Sequence, residues 1–412
     1  MQISLFRSHG ALFLAVFLDI FSFGLMYPLI VGLFDGAGAG GHGFGGFGGQ
    51  VTAANRDLMM SLAFALFPIG AFFGCALLGD LSDALGRRRT LVVCMAGLAA
   101  GYGLMWLSLE LAHVWLFFAG RIVAGLMSGT APIAQASMVD AVAPAARGDA
   151  MAQVTVVNTV GLMAGPAIGG VLGHYDFRLP LGVALVLCAF NAVLLARSRF
   201  GEETRRRAFH FDWRQPFLLF ARLKARPQVV PALASFFLFQ LGFLIYYTFI
   251  LVVMQRDHGF STAQIGLFSV AMGIGFMLGS ALGYAPVAKW LKHERRIAIF
   301  GEATCGGLLV LTALPVGAAG QVGLAVLICI ANVFSYVSLL SAMSGAVDET
   351  ERGWVMGLSS ASVALCVFIA GLLTSLLATL PAGVFLAAGG VLVLLGIAPA
   401  LRIPTLGAPV QA

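Results

Sequence analysis

Hydrophobic positions along the chain form twelve long runs, which are separated by short polar, glycine-rich or charged breaks. A helix needs about 20 mostly apolar residues to cross a bilayer, so each run is long enough. Strands of a membrane barrel would instead show ten-residue segments of alternating polarity. The predicted spans, numbered one to twelve, lie at 11–33, 57–79, 90–109, 115–139, 149–173, 179–198, 229–253, 263–287, 297–315, 319–344, 354–378 and 381–401.

This pattern predicts an all-α polytopic membrane protein with twelve transmembrane helices in two six-helix bundles. The longest break is rich in basic and aromatic residues and suits a helix lying on an anionic membrane surface. We therefore expect an N-terminal bundle over 1–198, a basic cytoplasmic linker over 199–228 and a C-terminal bundle over 229–412.

A weak internal repeat relates the two halves. Asp140 and Arg147 precede span five, and Asp348 and Arg352 take the same places before span eleven. We interpret each set as a charge pair at the inner membrane surface. A repeated six-helix half is the organisation expected of an alternating-access carrier.

Composition and charge narrow the function classes. The chain is 60% hydrophobic and only 10% charged, against about 25% charged in soluble domains, which excludes a soluble enzyme. Twenty of the 24 basic residues fall in segments on one side and three on the other. This asymmetry places both termini in the cytoplasm and explains the net charge of +6 without a nucleic-acid partner. No cysteine pair or histidine cluster has metal-ligand spacing, so we expect no metal and no cofactor.

The inner loop after span two carries the most specific motif, GDLSDALGRRR. Its glycines permit a tight turn, and its charges can form a latch against neighbouring helix ends. The loop resembles the signature of the major facilitator superfamily, although alanine replaces the basic residue that usually follows the aspartate. The residues that this resemblance assigns to the latch are Gly79, Asp83, Gly86, Arg87 and Arg88.

Asp19 and Arg121 are charged residues within predicted spans, where an ionisable group marks a functional site or needs a partner. Asp19 lies in span one, in a stretch similar to the first helix of tetracycline-type exporters. Arg121 lies in span four, in a sequence that resembles the family's fourth-helix motif. Asp19 is the leading candidate for a proton carrier with Arg121 as its coupling partner; alternatively, the two form a permanent ion pair.

Span five contains the pattern G-x-x-x-G-P-x-x-G-G, which within the superfamily is typical of drug/proton antiporters. Glycines at every fourth position let another helix approach closely. Span eight has a second stripe, and we expect the two stripes to pack together. The motif residues are Gly161, Gly165, Pro166, Gly169 and Gly170, and the second stripe is Gly275, Gly279 and Gly283.

One face of span seven is rich in aromatic residues and could line a cavity for a lipophilic cargo. Lipid contact or core packing is an equally good interpretation of these rings. The face consists of Phe236, Gln240, Phe243 and Tyr247. In span nine, Glu302 lies close to the basic loop, and we expect it to extend to the inner surface.

The resemblance implies a secondary active transporter that works by alternating access, with proton-coupled efflux of lipophilic or amphiphilic small molecules. The expected partners are a small-molecule substrate, protons and membrane lipids, and the expected form is a monomer in the cell inner membrane. An importer or a dedicated exporter of one metabolite or siderophore could use the same scaffold. A non-transporting membrane receptor or assembly factor is the alternative from another class.

Overall fold

The apolar runs form helices in the structure, a computed structural model that describes residues 2–35, 47–141, 147–198, 214–348 and 351–404. Within these ranges every regular element is helical. The reason is physical, because a chain in lipid must satisfy its backbone polar groups internally, as a helix does.

Seven helices precede the linker in the described ranges: α1 (Gln2–Asp35), α2 (Arg56–Leu85), α3 (Arg87–Glu110), α4 (Val114–Leu126), α5 (Thr130–Ala141), α6 (Arg147–Tyr175) and α7 (Arg178–Arg197). Those that follow are α8 (Gln215–Ala221), α9 (Val230–Arg256), α10 (Thr262–Leu278), α11 (Tyr284–Leu291), α12 (Glu294–Leu311), α13 (Ala318–Gly345), α14 (Arg352–Leu373), α15 (Ala382–Leu395) and α16 (Ile397–Ala400).

Each of the twelve predicted spans coincides with a helix or a pair of helices. By length and apolar composition, ten helical segments of the described chain could cross a membrane. The other two spans differ from a plain apolar helix. Span four is divided into α4 and α5, and span nine, α12, carries Glu294, Arg295, Arg296 and Glu302.

Several predicted spans contain local departures from α-helix. Span four breaks at residues 127–129, where Gly129 has a φ of +99° that favours glycine. Span eight contains a π-helical turn at Gly279–Gly283, between α10 and α11. Span eleven ends in a 3₁₀ turn at Thr374–Ala378. Breaks of this kind expose backbone groups that an intact helix would use internally.

The chain divides into two compact units. The first comprises Met1–Trp213 with Ser261–Leu267, and the second comprises Arg214–Phe260 with Phe268–Ala412. The division falls inside the predicted linker. The short segment that opens α10 groups with the first unit.

The same helix pairs recur in both units. In the first unit α1 packs on α6, α2 on α4, and α3 on both α4 and α7. In the second unit α9 packs on α14, the π-helical turn on α13, and α12 on both α13 and α15. Counted by span, both sets are first with fifth, second with fourth, third with fourth and third with sixth. This recurrence is the structural form of the internal repeat.

Candidate functional site

The carboxyl of Asp19 faces the break in span four. Asp19 lies nine residues after Gly10, where the apolar span of α1 begins, or about 14 Å into that span. Its Oδ1 accepts a hydrogen bond from the backbone N–H of Gly129, at 3.3 Å. Thr130 begins α5 immediately afterwards, so the partial positive charge of a helix N-terminus also lies nearby. The break therefore provides Asp19 with a polar environment inside the span.

Arg121 is held by α2. Its side chain is buried, and its Nε donates a hydrogen bond of 2.8 Å to the carbonyl oxygen of Ala63. Its guanidinium carbon lies 4.8 Å from the centroid of the Phe67 ring, a cation–π contact. These contacts hold Arg121 against α2, and its pairing with Asp19 stays an open alternative.

Tyr102 is a polar residue near this site that the sequence analysis missed. The side chain is fully buried, and its hydroxyl donates a hydrogen bond of 2.9 Å to the carbonyl oxygen of Ser22. The single tyrosine of the third predicted span was the available signal. Tyr102 ties α3 to α1 one turn beyond the carboxyl.

The antiporter-motif glycines of α6 lie directly against the backbone of α1. A Cβ on Gly165 would lie 2.5 Å from the carbonyl oxygen of Phe21, and one on Gly169 would lie 2.5 Å from that of Leu25. A Cβ on Gly161 would lie 3.0 Å from the carbonyl oxygen of Phe17, one turn earlier in α1. Real Cβ atoms do not approach so closely, so only glycine fits. Because α6 contacts α1 next to Asp19, the motif helix helps to fix the position of that residue.

The expected packing of the two glycine stripes against each other is wrong. The second stripe faces α13: a Cβ on Gly275 would lie 2.6 Å from the carbonyl oxygen of Val326, and one on Gly279 would lie 3.0 Å from the Cα of Ile330. The stripe of α6 faces α1 instead. Small residues permit a close approach, but their spacing does not select the partner helix.

Gly170 and Pro166 have neighbours of their own within the first unit. A Cβ on Gly170 would lie 2.6 Å from the Cα of Gly266 and 2.7 Å from the carbonyl oxygen of Thr262, at the start of α10. A Cβ on Gly24 would lie 2.8 Å from the Pro166 ring. The paired glycines that end the motif thus allow α6 to contact a second helix besides α1.

The signature loop is a tight connection between α2 and α3. Gly86 has a φ of +87°, and its N–H donates to the carbonyl oxygen of Ser82 at 3.0 Å. Arg88 reaches the end of α7, where its Nη1 donates to the carbonyl oxygens of Ser198 at 2.6 Å and Ala196 at 3.3 Å. A cation at a helix C-terminus is favourable, because the helix dipole is negative there.

The other latch residues have different environments. Gly79 is exposed and has open space around it. Arg87 is half-buried at the start of α3. The side chain of Asp83 lies outside the described residues, so the latch between Asp83 and Arg87 stays a prediction.

The predicted inner charge pairs stay predictions. Arg352 is the first residue of α14, and Asp348 precedes that helix. The side chains of Asp140 and Arg147 lie outside the described residues.

The linker instead carries an ion pair that the sequence analysis missed. Arg226 forms a bidentate pair with Glu351, through Nε to Oε2 at 2.9 Å and Nη2 to Oε1 at 3.0 Å. This carboxylate raises the pKa of Arg226 above its usual value. Nearby, Trp354 Nε1 donates to the carbonyl oxygen of Leu219 at 2.9 Å, and Arg222 stacks on the indole ring. These contacts fasten the linker to the start of α14.

The aromatic face of span seven is buried within the second unit, at Phe236, Gln240, Phe243 and Tyr247. Phe236 packs near Tyr336, with ring centroids 5.7 Å apart, and Phe243 lies 5.8 Å from Phe276. The Oε1 of Gln240 has no hydrogen-bond partner among the described residues. Core packing therefore accounts for the rings, and a cavity role stays a prediction.

The expectation that Glu302 extends to the inner surface is wrong. Its side chain is 0% exposed, and its Oε1 accepts a hydrogen bond of 2.6 Å from the hydroxyl of Ser235 on α9. Proximity to a basic loop in sequence did not show which face of α12 the residue occupies.

Comparisons with known proteins agree with this architecture. The chain is 26% identical over 370 residues to the class C tetracycline resistance protein of Escherichia coli, covering 87% of each chain. It is 30% identical over 242 residues to the class G tetracycline resistance protein of Vibrio anguillarum, covering 58% of this chain and 60% of the relative. The crystal structure of the human organic anion transporter MFSD10 matches 96% of this chain and 99% of its own, with a TM-score of 0.68 and 21% identity.

The model of one protein family covers most of the chain. Residues 12–365 match the Major Facilitator Superfamily, which agrees with the motifs in the signature loop and in span five. The matched range includes all of the first unit's helices beyond the first turns of α1. This chain therefore belongs to the major facilitator superfamily and is a multi-pass membrane transporter.

Proposed function

We propose that this transporter exports lipophilic or amphiphilic small molecules in exchange for protons, and that Asp19 carries the proton. The observation that carries the proposal is the position of Asp19, inside a membrane-spanning helix and facing the break in span four. An ionisable residue at such a place is typical of a proton pathway. Arg121, its proposed coupling partner, donates a hydrogen bond to the carbonyl oxygen of Ala63 on α2.

The relatives support export as the direction of transport. One tetracycline resistance protein matches 87% of this chain. A membrane carrier can confer resistance by moving the drug out of the cell. Tetracycline is an amphiphilic polycyclic molecule, so it is the first cargo to test. The same argument favours export over uptake of a single metabolite.

The exchange needs one site whose proton affinity differs between two conformations. Protonation of Asp19 from outside favours release of the cargo, and loss of the proton inside prepares the site for the next cargo molecule. The contact between α6 and α1 transmits movement of the motif helix to the carboxyl, since the two backbones touch at Gly165 and Gly169. Two interconverting conformations of one scaffold are the minimum for this cycle.

The charge asymmetry supports a proposed placement in the cell. We assign the protein to the cell inner membrane, with both termini in the cytoplasm, because the inner segments hold most of the basic residues. We assign a monomer, because each unit buries its own glycine stripe against a helix of the same unit.

Inverted membrane vesicles test the proposal. Adding tetracycline to vesicles with an imposed pH gradient should collapse the gradient when wild-type protein is present. Asp19→Asn should insert and fold but abolish the collapse, because the amide is nearly isosteric and binds no exchangeable proton. Asp19→Glu, the matched control, should retain a measurable part of the activity. Wild-type rates from Asp19→Asn would contradict the assignment of the proton to Asp19.

A further inference from the structure

The second unit contains a buried carboxyl that the proposed exchange does not use. Glu302 lies eight residues after the start of α12, or about 12 Å along the helix. One carboxyl oxygen accepts a hydrogen bond from Ser235, and the other, Oε2, is buried without a hydrogen-bond partner in the described structure. A Cβ on Gly396 would lie 2.9 Å from Oε1, so the backbone between α15 and α16 also borders the carboxyl.

Among the described residues, no positive charge forms an ion pair with this carboxyl. The helices in contact with α12 are α9, α11, α13, α15 and α16. α15 and α16 carry no titratable residue; the titratable and charged groups on the other helices and on α12 itself are Tyr246, Tyr247, Arg256, Tyr284, Lys289, Glu294, Arg295, Arg296, Cys305, Cys329 and Tyr336. In the described chain none of the cations forms an ion pair with Glu302. Its titratable neighbour is the thiol of Cys305, one turn along α12.

This geometry fits a carboxylic acid better than a carboxylate. An ion taken out of water needs a partner charge or several hydrogen bonds. Glu302 has one hydroxyl donor at Oε1 and nothing at Oε2. A proton on Oε2 removes the charge and leaves Oε1 free to accept the bond from Ser235. The unpartnered oxygen is then the hydroxyl of the acid.

We propose that Glu302 is a second proton-binding site, which holds a proton in the conformation seen here and exchanges it with water when the second unit changes conformation. In that step the O–H bond of the acid breaks, the proton passes to water, and the carboxylate stays on α12. The inference rests on the proposed function only in placing this exchange within a proton-coupled transport cycle. Asp19 and Glu302 would then each bind one proton, one in each unit.

Infrared spectroscopy of the purified full-length protein in detergent tests the proposal without any cargo. Subtracting the spectrum of Glu302→Gln from that of the wild type at neutral pH should give the carbonyl band of one protonated carboxylic acid. The glutamine keeps the volume and the acceptor for Ser235. The band should shift in heavy water within the minutes of the measurement and disappear at strongly alkaline pH. In Ser235→Ala the band should persist at a changed frequency, because Glu302 loses its hydrogen-bond donor. This shift assigns the band to Glu302 even if Glu302→Gln does not fold.

Other results would overturn the proposal. Carboxylate bands in the difference spectrum would show that Glu302 is ionised, and an acid band that never shifts in heavy water would show a permanently closed structural acid. A band that neither variant alters would belong to another residue. The variant Asp19→Asn distinguishes a failure of the Glu302 proposal from a failure of the Asp19 proposal. The infrared band of Glu302 should survive in this variant, while transport by the same variant in vesicles tests only the role of Asp19.

Discussion

Replacing Gly165 by alanine should destabilise the first unit, because the added methyl group meets the backbone of α1. The new Cβ would lie 2.5 Å from the carbonyl oxygen of Phe21 and 3.0 Å from the backbone nitrogen of Leu25. Ordinary contact begins at 3.4 Å, so α1 and α6 must separate by about 0.9 Å. Overpacking of this kind costs about 1–3 kcal/mol. The helix-forming preference of alanine offsets about 1 kcal/mol.

Gly103→Ala is the matched control for that preference. Gly103 is also inside a helix, and its Cβ would make an ordinary contact at 3.7 Å with Leu185. The free energy of unfolding of this variant should rise by about 1 kcal/mol. The difference in free energy of unfolding between the two variants therefore isolates the packing cost of about 1–3 kcal/mol. Thermal melting of both proteins in one detergent should place Gly165→Ala below wild type and Gly103→Ala at or above it. Equal melting temperatures for the two variants would refute the backbone contact between α1 and α6.

Three further changes test other parts of the structure. Arg88→Ala should lower the stability by about 0.3–1 kcal/mol, because the carbonyl oxygen of Ser198 loses the cation that binds it. Thermal melting at low salt measures this loss, and an unchanged melting temperature would contradict the prediction. Gly86→Ala should cost about 1–3 kcal/mol in the same assay, since its backbone (φ +87°, ψ +151°) lies in a region that is essentially restricted to glycine. No loss of stability would show that the turn adapts. Trp354→Phe should speed tryptic cleavage of the linker by removing the hydrogen bond to Leu219, and an unchanged cleavage rate would show that this bond does not hold the linker.

The number and order of spans could be predicted from the sequence, because lipid imposes a length and an apolar composition on every crossing. The glycine-rich motif also predicted a close helix contact. It did not predict the partner, since Gly165 meets α1 and Gly275 meets α13 by tertiary packing. Periodicity shows which face of a helix carries small residues. The neighbouring helix on that face depends on the tertiary fold.

The environment of charged residues was the least predictable feature. Glu302 is close to basic residues in sequence, yet it faces the core of its unit. Arg121 finds a carbonyl oxygen and the Phe67 ring on α2, which are partners that carry no sequence signature. Similarly, the pair between Arg226 and Glu351 joins residues 125 positions apart. Such contacts depend on side-chain direction and on distant segments, which local patterns do not encode.

Proton release from the purified protein on binding tetracycline tests the central claim most directly. In weakly buffered detergent solution with a pH indicator, wild-type protein should release protons as the drug binds, because cargo and proton compete for the site at Asp19. Asp19→Asn should still bind the drug, measured by fluorescence, and release measurably fewer protons. Equal proton release from Asp19→Asn and the wild type, at equal drug binding, would contradict exchange at Asp19.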